Sequence, residues 1–216
     1  MAVLTPDERL LLDRAAAAPM LGQVEHWARV NSGSHNLPGL AEMAMLLADA
    51  FSILPGEPRL VEGDPVESID GAGRTITRQV GRHLMLAVRP QAPRRILLTG
   101  HMDTVFGADH PFQTLTWIDD TTLNGPGTAD MKGGLAIMLA ALAALEGSPF
   151  AGRLGYDVLI NSDEEVGSLS SAALIARAAQ GKAAALTYEP ALADGTRGFV
   201  GERSEEHTSE LQSPVV

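Results

Sequence analysis

The sequence predicts an α/β protein, with a mixed, largely parallel sheet and helices on both faces of that sheet. Largely apolar runs at 83–88, 95–100 and 155–160 are typical of strands buried in the centre of a sheet. Amphipathic or apolar segments of helical length flank these runs. Strands that alternate with helices indicate a layered α/β architecture.

Each predicted element follows from a local signal. Asp7 and Glu8 suit the first turn of a helix, Pro19 separates two helices, and Gly147 and Gly181 end two others. For the last helix, Ser168 or Ser170 is the expected N-cap. The predicted helices are 6–18, 20–30, 37–54, 131–145 and 168–179. The predicted strands are 83–88, 95–100, 155–160 and 184–188, with one or two more in 60–78 and a loop-rich stretch at 107–128.

Composition excludes several classes of function. The formal net charge of -11 disfavours nucleic acid and anionic membranes as partners. The absence of cysteine excludes disulfides, thiolate metal sites and a cysteine nucleophile. We see no signal peptide, and no apolar stretch that is both long and charge-free enough to cross a membrane, so we expect a cytoplasmic protein.

Acidic and histidine side chains follow the predicted strands at the point where each strand ends. His101 and Asp103 follow strand 95–100, the pair Glu164 and Glu165 follows strand 155–160, and Glu189 follows strand 184–188. Ligand sites of open α/β sheets form at the carboxyl ends of strands. If these strands are parallel, we expect the side chains to converge at one edge of the sheet.

Asp130 lies just before the apolar helix predicted at 131–145, where helical N–H groups would hold its carboxylate. His101 and Asp103 are two residues apart and would point to the same side of an extended chain. This spacing suits a metal-bound imidazole whose outer nitrogen donates to a carboxylate. Imidazole and carboxylate ligands without thiolate suit Zn²⁺, with Mn²⁺ or Co²⁺ as substitutes.

Each of these features alone has a simpler interpretation. A histidine after a strand is more often structural, a Glu-Glu pair is usually solvated, and an aspartate before a helix is usually an N-cap. We expect Lys132 to be a solvated residue at the start of a helix, and His35, His83 and His110 to be structural or surface residues. The coincidence of several clusters at the ends of apolar elements favours a metal site.

Four motifs carry a specific resemblance to a known family. They are Thr-Gly-His-Met-Asp-Thr-Val at 99–105, Gly-Pro-Gly-Thr-Ala-Asp-Met-Lys-Gly-Gly at 125–134, Asp-Glu-Glu-Val-Gly-Ser at 163–168, and Tyr-Glu-Pro at 188–190. Most of 20–202 resembles the zinc metallopeptidase family of glutamate carboxypeptidase, acetylornithine deacetylase, succinyl-diaminopimelate desuccinylase and aminoacylase. The loop at 31–34 and the run at 189–191 are most similar to the glutamate carboxypeptidase branch.

The resemblance implies a role for each metal-ligating residue. His101 and Glu189 would bind one zinc ion, Glu165 would bind a second, and Asp130 would bridge the two. A zinc pair about 3.5–4 Å apart polarises an amide carbonyl and lowers the pKa of a bridging water.

Two further carboxylates would complete the catalytic site. The resemblance implies that Asp103 orients His101, and that Glu164 is the general base that takes a proton from the water. The implied reaction is hydrolysis of an amide bond, of the carboxypeptidase or N-acyl-amino-acid deacylase type. The substrate would be a small peptide or an N-acyl amino acid.

The chain departs from the family in its length. We expect 1–203 to be the N-terminal part of the catalytic domain, and 204–216 to be a non-native disordered tail that resembles translated adapter sequence. The resemblance places a further metal-binding histidine and a dimerising domain outside this chain, so the parent would be a homodimer and the isolated chain inactive. The alternative is a metal-binding or interaction module without catalysis.

Overall fold

The computed structural model describes residues 4–191. The helices in chain order are α1 (Pro6–Ala16), α2 (Met20–Ala28), α3 (Leu37–Phe51), α4 (Gly134–Glu146) and α5 (Ala172–Ala179). The strands are β1 (Arg59–Val61), β2 (Val66–Ile69), β3 (Thr75–Arg78), β4 (His83–Val88), β5 (Arg95–His101), β6 (Thr116–Trp117), β7 (Leu123–Asn124), β8 (Gly155–Asn161) and β9 (Ala184–Thr187). The tail predicted at 204–216, and the last residues of the domain predicted at 1–203, lie outside this range.

The main sheet has the strand order β1-β4-β8-β5-β9. Strands β8, β5 and β9 are parallel to one another, whereas β4 runs antiparallel to β8 and β1 antiparallel to β4. The turn at 89–94 reverses the chain between β4 and β5, and β8 lies between these two strands. The three strands that precede the predicted site residues are thus the parallel ones.

Helices cover both faces of this sheet, as predicted. On one face, α2, α3 and α4 contribute Trp27, Met43 and Leu135 to a large core that includes Leu98 and Val158 of the sheet. On the other face, α5 packs Ala178 against Leu97 and Leu159. The neighbours Leu97 and Leu98 in β5, and Val158 and Leu159 in β8, pack into opposite cores because successive side chains of a strand point to opposite faces.

Two helix starts differ from the prediction. Helix α4 begins at Gly134 rather than at 131, since the backbone is non-helical at Asp130 and Met131. Helix α5 begins at Ala172 with Ser171 at its N-cap, so the N-cap predicted at Ser168 or Ser170 is wrong. The physical reason is Asp163, whose carboxylate accepts the N–H groups of Ser170 and Ser171 and keeps the preceding residues in a loop.

One segment, Thr128–Glu146, is long and apolar enough to span a membrane by length and composition, with a mean hydropathy of 1.4. Our expectation from sequence that no such stretch exists was therefore too strict. In this fold half of the segment is buried, and Leu135 and Met138 of α4 are fully enclosed by the core. A helix that is apolar nearly all round suits a position under other structure.

Gly134 allows α4 to approach the segment that carries Glu189. A Cβ atom at this position would collide with the carbonyl oxygen of Tyr188. We predict that Gly134→Ala lowers the free energy of unfolding by about 1–3 kcal/mol, the usual cost of overpacking. Urea denaturation measures this change.

The matched control for Gly134→Ala is Gly22→Ala. Gly22 lies in α2, where an added Cβ atom would meet nothing within 4 Å. Alanine favours a helix over glycine by about 0.5–1 kcal/mol, so this control should leave stability unchanged or raise it slightly. Equal stability of the two variants would contradict a close approach at Gly134.

Candidate active site

The predicted site residues converge at the carboxyl ends of the three parallel strands. His101 is the last residue of β5, Glu164 and Glu165 follow β8, and Glu189 follows β9. The register aligns these ends, since His101 pairs with Asn161 and Thr99 pairs with Thr187. The sheet geometry therefore brings side chains from distant parts of the sequence together.

His101 lies at the centre of the cluster. Its imidazole is buried, and Nε2 lies 2.9 Å from Oδ1 of Asp130, 3.8 Å from Oε2 of Glu189 and 3.9 Å from Oε2 of Glu164. His101, Asp130 and Glu165 each offer one ligand atom, and these three atoms lie within 4.8 Å of one another. The metal ligands and the general base inferred from sequence are thus neighbours, while their individual roles stay predictions.

The other ring nitrogen of His101 faces Asp103. Nδ1 lies 3.0 Å from the backbone carbonyl oxygen of Asp103 and 3.4 Å from its Oδ1. The carbonyl is the nearer acceptor, although the sequence suggested the carboxylate. If Nδ1 carries the proton, its N–H group donates to one of these oxygens. The unprotonated Nε2 then faces the carboxylates and is available as a metal ligand.

The carboxylate of Asp103 instead holds the turn that carries two of the glutamates. It is fully buried and accepts the N–H groups of Glu164 and Glu165, both at 3.1 Å. It also accepts the hydroxyl proton of Ser34 at 2.8 Å. Ser34 had no role assigned from the sequence, where it is part of the loop at 31–34 that resembles the glutamate carboxypeptidase branch.

Asp163 was part of a predicted cluster but had no assigned role. Its side chain is buried, and Oδ2 accepts the N–H groups of Ser170 and Ser171 at 2.7 and 3.3 Å. The chain from Asp163 to α5 is therefore folded back on itself. This loop leaves Glu164 half-exposed at the site while Asp163 points inward.

Asp130 does not sit at a helix start as predicted. Its backbone is extended, with φ -113° and ψ 101°, and α4 begins four residues later. The structure therefore holds its carboxylate against His101 rather than against the N–H groups of a helix. Asp130 reaches the site because its own loop, and not α4, presents it.

Lys132 lies beneath this loop, and the prediction that it is solvated is wrong. The side chain is 1% exposed, and Nζ donates a hydrogen bond of 2.8 Å to the carbonyl oxygen of Val30. Its stem passes Gly127, where a Cβ atom would crowd it. Burial lowers the pKa of Lys132 to about 8. This contact ties the Asp130 loop to the segment that follows α2.

The three histidines expected to be structural or surface residues are placed as predicted. His83 is buried, and its Nδ1 accepts the N–H of Ser162 at 3.2 Å, so its role is structural. His35 and His110 are exposed.

The cluster carries a strong excess of negative charge. Within residues 4–191, no lysine or arginine forms an ion pair with the five site carboxylates, Asp103, Asp130, Glu164, Glu165 and Glu189. Burial, followed by repulsion from Asp130, raises the pKa of Glu165 to about 7. Burial also raises the pKa of Glu164, with a contribution from Glu189.

The carboxylates have the opposite effect on the imidazole of His101, since they stabilise its protonated form. Burial alone would lower the pKa of His101, but hydrogen bonds to Asp103, Asp130 and Glu189 raise it well above its usual value. One imidazole and several carboxylates within ligand distance, without thiolate, form a donor set that fits Zn²⁺ or a related divalent cation.

Part of the chain matches a known peptidase family. Residues 97–203 match the model of peptidase family M20/M25/M40. The chain therefore contains part of an M20 family domain. It is also 34% identical to carboxypeptidase G2 from Pseudomonas sp. (strain RS-16) over 139 residues, which are 60% of this chain and 32% of that protein. The M20 match and the carboxypeptidase homologue confirm the resemblance found in the sequence.

Solved structures agree on the fold. The M20 metallo-carboxypeptidase Sso-CP2 from Sulfolobus solfataricus matches with a TM-score of 0.63 and 17% identity, over 82% of this chain and 39% of that one. Human carnosine dipeptidase 1 matches with a TM-score of 0.60 and 18% identity, over 82% and 38%. The chain thus spans less than half the length of carboxypeptidase G2 and of these two solved relatives.

The raised pKa of Glu165 predicts a pH-dependent stability of the metal-free chain. The folded state binds the Glu165 proton more tightly than the unfolded state, so the contribution of Glu165 to stability is greatest below the ordinary pKa of 4.5. It should fall as the pH rises from about 4.5 to about 7. Urea denaturation with a chelator, at pH 5 and pH 8, measures this loss.

Glu165→Gln should reduce the difference between the two pH values, because glutamine does not titrate. Glu67→Gln is the control, since Glu67 is exposed on β2 and should leave the difference unchanged. A difference that is the same in all three proteins would contradict the raised pKa of Glu165.

Proposed function

We propose that this chain provides the metal-binding part of a dizinc hydrolase that cleaves an amide bond, of the carboxypeptidase or N-acyl-amino-acid deacylase type. The observation that carries the proposal is the convergence of His101 with Asp130, Glu165 and Glu189 at one end of the sheet. The match to a carboxypeptidase supports a small peptide as the substrate, and an N-acyl amino acid is the proposed alternative.

The side chains divide into two candidate sets of ligands. His101, Asp130 and Glu189 would hold one zinc ion, and Asp130 and Glu165 would hold the other. When bound, such a pair polarises an amide carbonyl and lowers the pKa of a water. The excess of carboxylates favours cations here, because any divalent ion relieves their mutual repulsion.

Glu164 is the proposed general base. It is half-exposed, so substrate and water reach it, while its backbone N–H is held by Asp103. Its raised pKa brings it closer to neutrality, where a base both accepts and returns a proton efficiently. Glu164 would take a proton from the attacking water and pass it to the leaving amine.

We also propose that the isolated chain does not turn over substrate. Zinc in catalytic sites usually has three protein ligands. In the part of the chain that the structure describes, the set of Asp130 and Glu165 has no third ligand apart from His101, which the other set already uses. A complete second site would need a residue from elsewhere.

The test is the zinc content of the purified chain after loading and removal of excess metal. We expect about one zinc per chain, because one set has three protein ligands and a folded site retains its metal. Asp130→Ala should abolish the binding. Asp120→Ala is the control, since this exposed carboxylate lies outside the cluster and should leave the content unchanged.

Other outcomes would separate the alternatives. No zinc in a folded chain would contradict the proposed metal site. Turnover of an N-acyl amino acid by the isolated chain, at a rate typical of intact enzymes, would contradict its inactivity. Zinc binding without hydrolysis by a longer protein that carries this chain would favour a non-catalytic metal-binding module.

A further inference from the structure

Asp103 connects three parts of the candidate site. Its buried carboxylate accepts the backbone N–H groups of Glu164 and Glu165 and also lies 3.4 Å from Nδ1 of His101. These N–H groups belong to the proposed general base and a proposed metal ligand. A rotation of the Asp103 carboxylate would therefore release the turn that presents both glutamates.

Ser34 supplies the one side-chain hydroxyl that fixes this carboxylate among the described residues. Its Oγ donates to Oδ2 of Asp103 at 2.8 Å, on the same oxygen that accepts the N–H of Glu165. The hydroxyl and the backbone N–H thus hold Oδ2 between them. The other oxygen is held by the N–H of Glu164.

The loop that carries Ser34 is itself fixed to the strand end beside the site. The N–H of Ser34 donates to the Thr104 carbonyl at 3.2 Å, and the N–H of Thr104 donates to the Ser32 carbonyl at 3.0 Å. Asn31 Nδ2 donates to the Phe106 carbonyl at 3.1 Å. A Cβ atom on Gly33 would collide with that same carbonyl oxygen, so the two segments pack as closely as their backbones allow.

We propose that Ser34 is a positioning residue of the active site, which acts through Asp103 on the turn of Glu164 and Glu165. This inference rests on the proposed metal-dependent function. Without the hydroxyl, a fully buried carboxylate oxygen would lose a hydrogen bond and the carboxylate would rotate toward other donors. Removal of a contact that orients a metal ligand typically lowers metal affinity by about 10- to 100-fold.

Ser32 provides a matched control in the same loop. Its side chain is fully buried, and its Oγ has no hydrogen-bond partner within residues 4–191. Ser32→Ala therefore removes a buried hydroxyl without touching Asp103. Any effect found in Ser34→Ala but not in Ser32→Ala belongs to the contact with Asp103 rather than to the loop.

The experiment compares Ser34→Ala, Ser34→Thr and Ser32→Ala in the full 216-residue chain. The first measurement is the backbone amide chemical shifts of Glu164 and Glu165 in the metal-free protein, by NMR. The second is zinc affinity, by competition with a chelator. We expect Ser34→Ala to move both amide signals and to weaken zinc binding about 10-fold or more. Ser34→Thr, which keeps the hydroxyl, should restore both, and Ser32→Ala should change neither.

Unchanged amide signals and zinc affinity in Ser34→Ala would overturn the proposal and leave the proposed function intact. So would equal effects of Ser34→Ala and Ser32→Ala, because the hydroxyl would then matter only to the loop. If the unmodified chain binds no zinc, the proposed function fails. The amide signals of the metal-free proteins still decide whether Ser34 holds the turn.

Discussion

The central constraint on this molecule is the repulsion among carboxylates that the sheet gathers around one imidazole. Three parallel strands end at the same edge and deliver His101, Glu164, Glu165 and Glu189 there, and a separate loop adds Asp130. Coulomb repulsion at such short range is strong, and partial burial strengthens it. Hydrogen bonds hold Asp103 and the turn of Glu164 and Glu165 in place against this repulsion, and a bound cation would relieve it.

Backbone N–H groups provide much of that support. The two fully buried acids, Asp103 and Asp163, each accept two of them, from Glu164 and Glu165 and from Ser170 and Ser171. Hydrogen bonds to N–H groups stabilise a buried anion without adding a competing positive charge. Within residues 4–191, no lysine or arginine therefore neutralises the open side of the cluster. An arrangement with arginine or lysine beside these acids would bind a divalent cation less well.

The sequence predicted the parts of the fold that depend on local patterns. Strand β4 was placed at its observed bounds because a continuous apolar run lies between turn residues. The convergence of the acidic clusters followed from the parallel strands. The burial of Lys132, the contact of Ser34 and the start of α5 could not be predicted in this way. Lys132 meets Val30 and Ser34 meets Asp103 across 102 and 69 positions, and no local period encodes such contacts.

The three strands that carry the site residues are not equally well packed, and β9 has the fewest buried contacts. Strands β5 and β8 are both flanked by strands, whereas β9 pairs with β5 alone within residues 4–191. Its four residues are exposed, including Leu186 at 44%. An edge strand with few buried contacts opens more easily than a central one, and Glu189 follows it directly. The position of Glu189 therefore depends on the β5 pairing and on the close packing of Gly134 against Tyr188. His101, by contrast, ends a central strand and is 1% exposed, so metal affinity should be limited by Glu189 rather than by the imidazole.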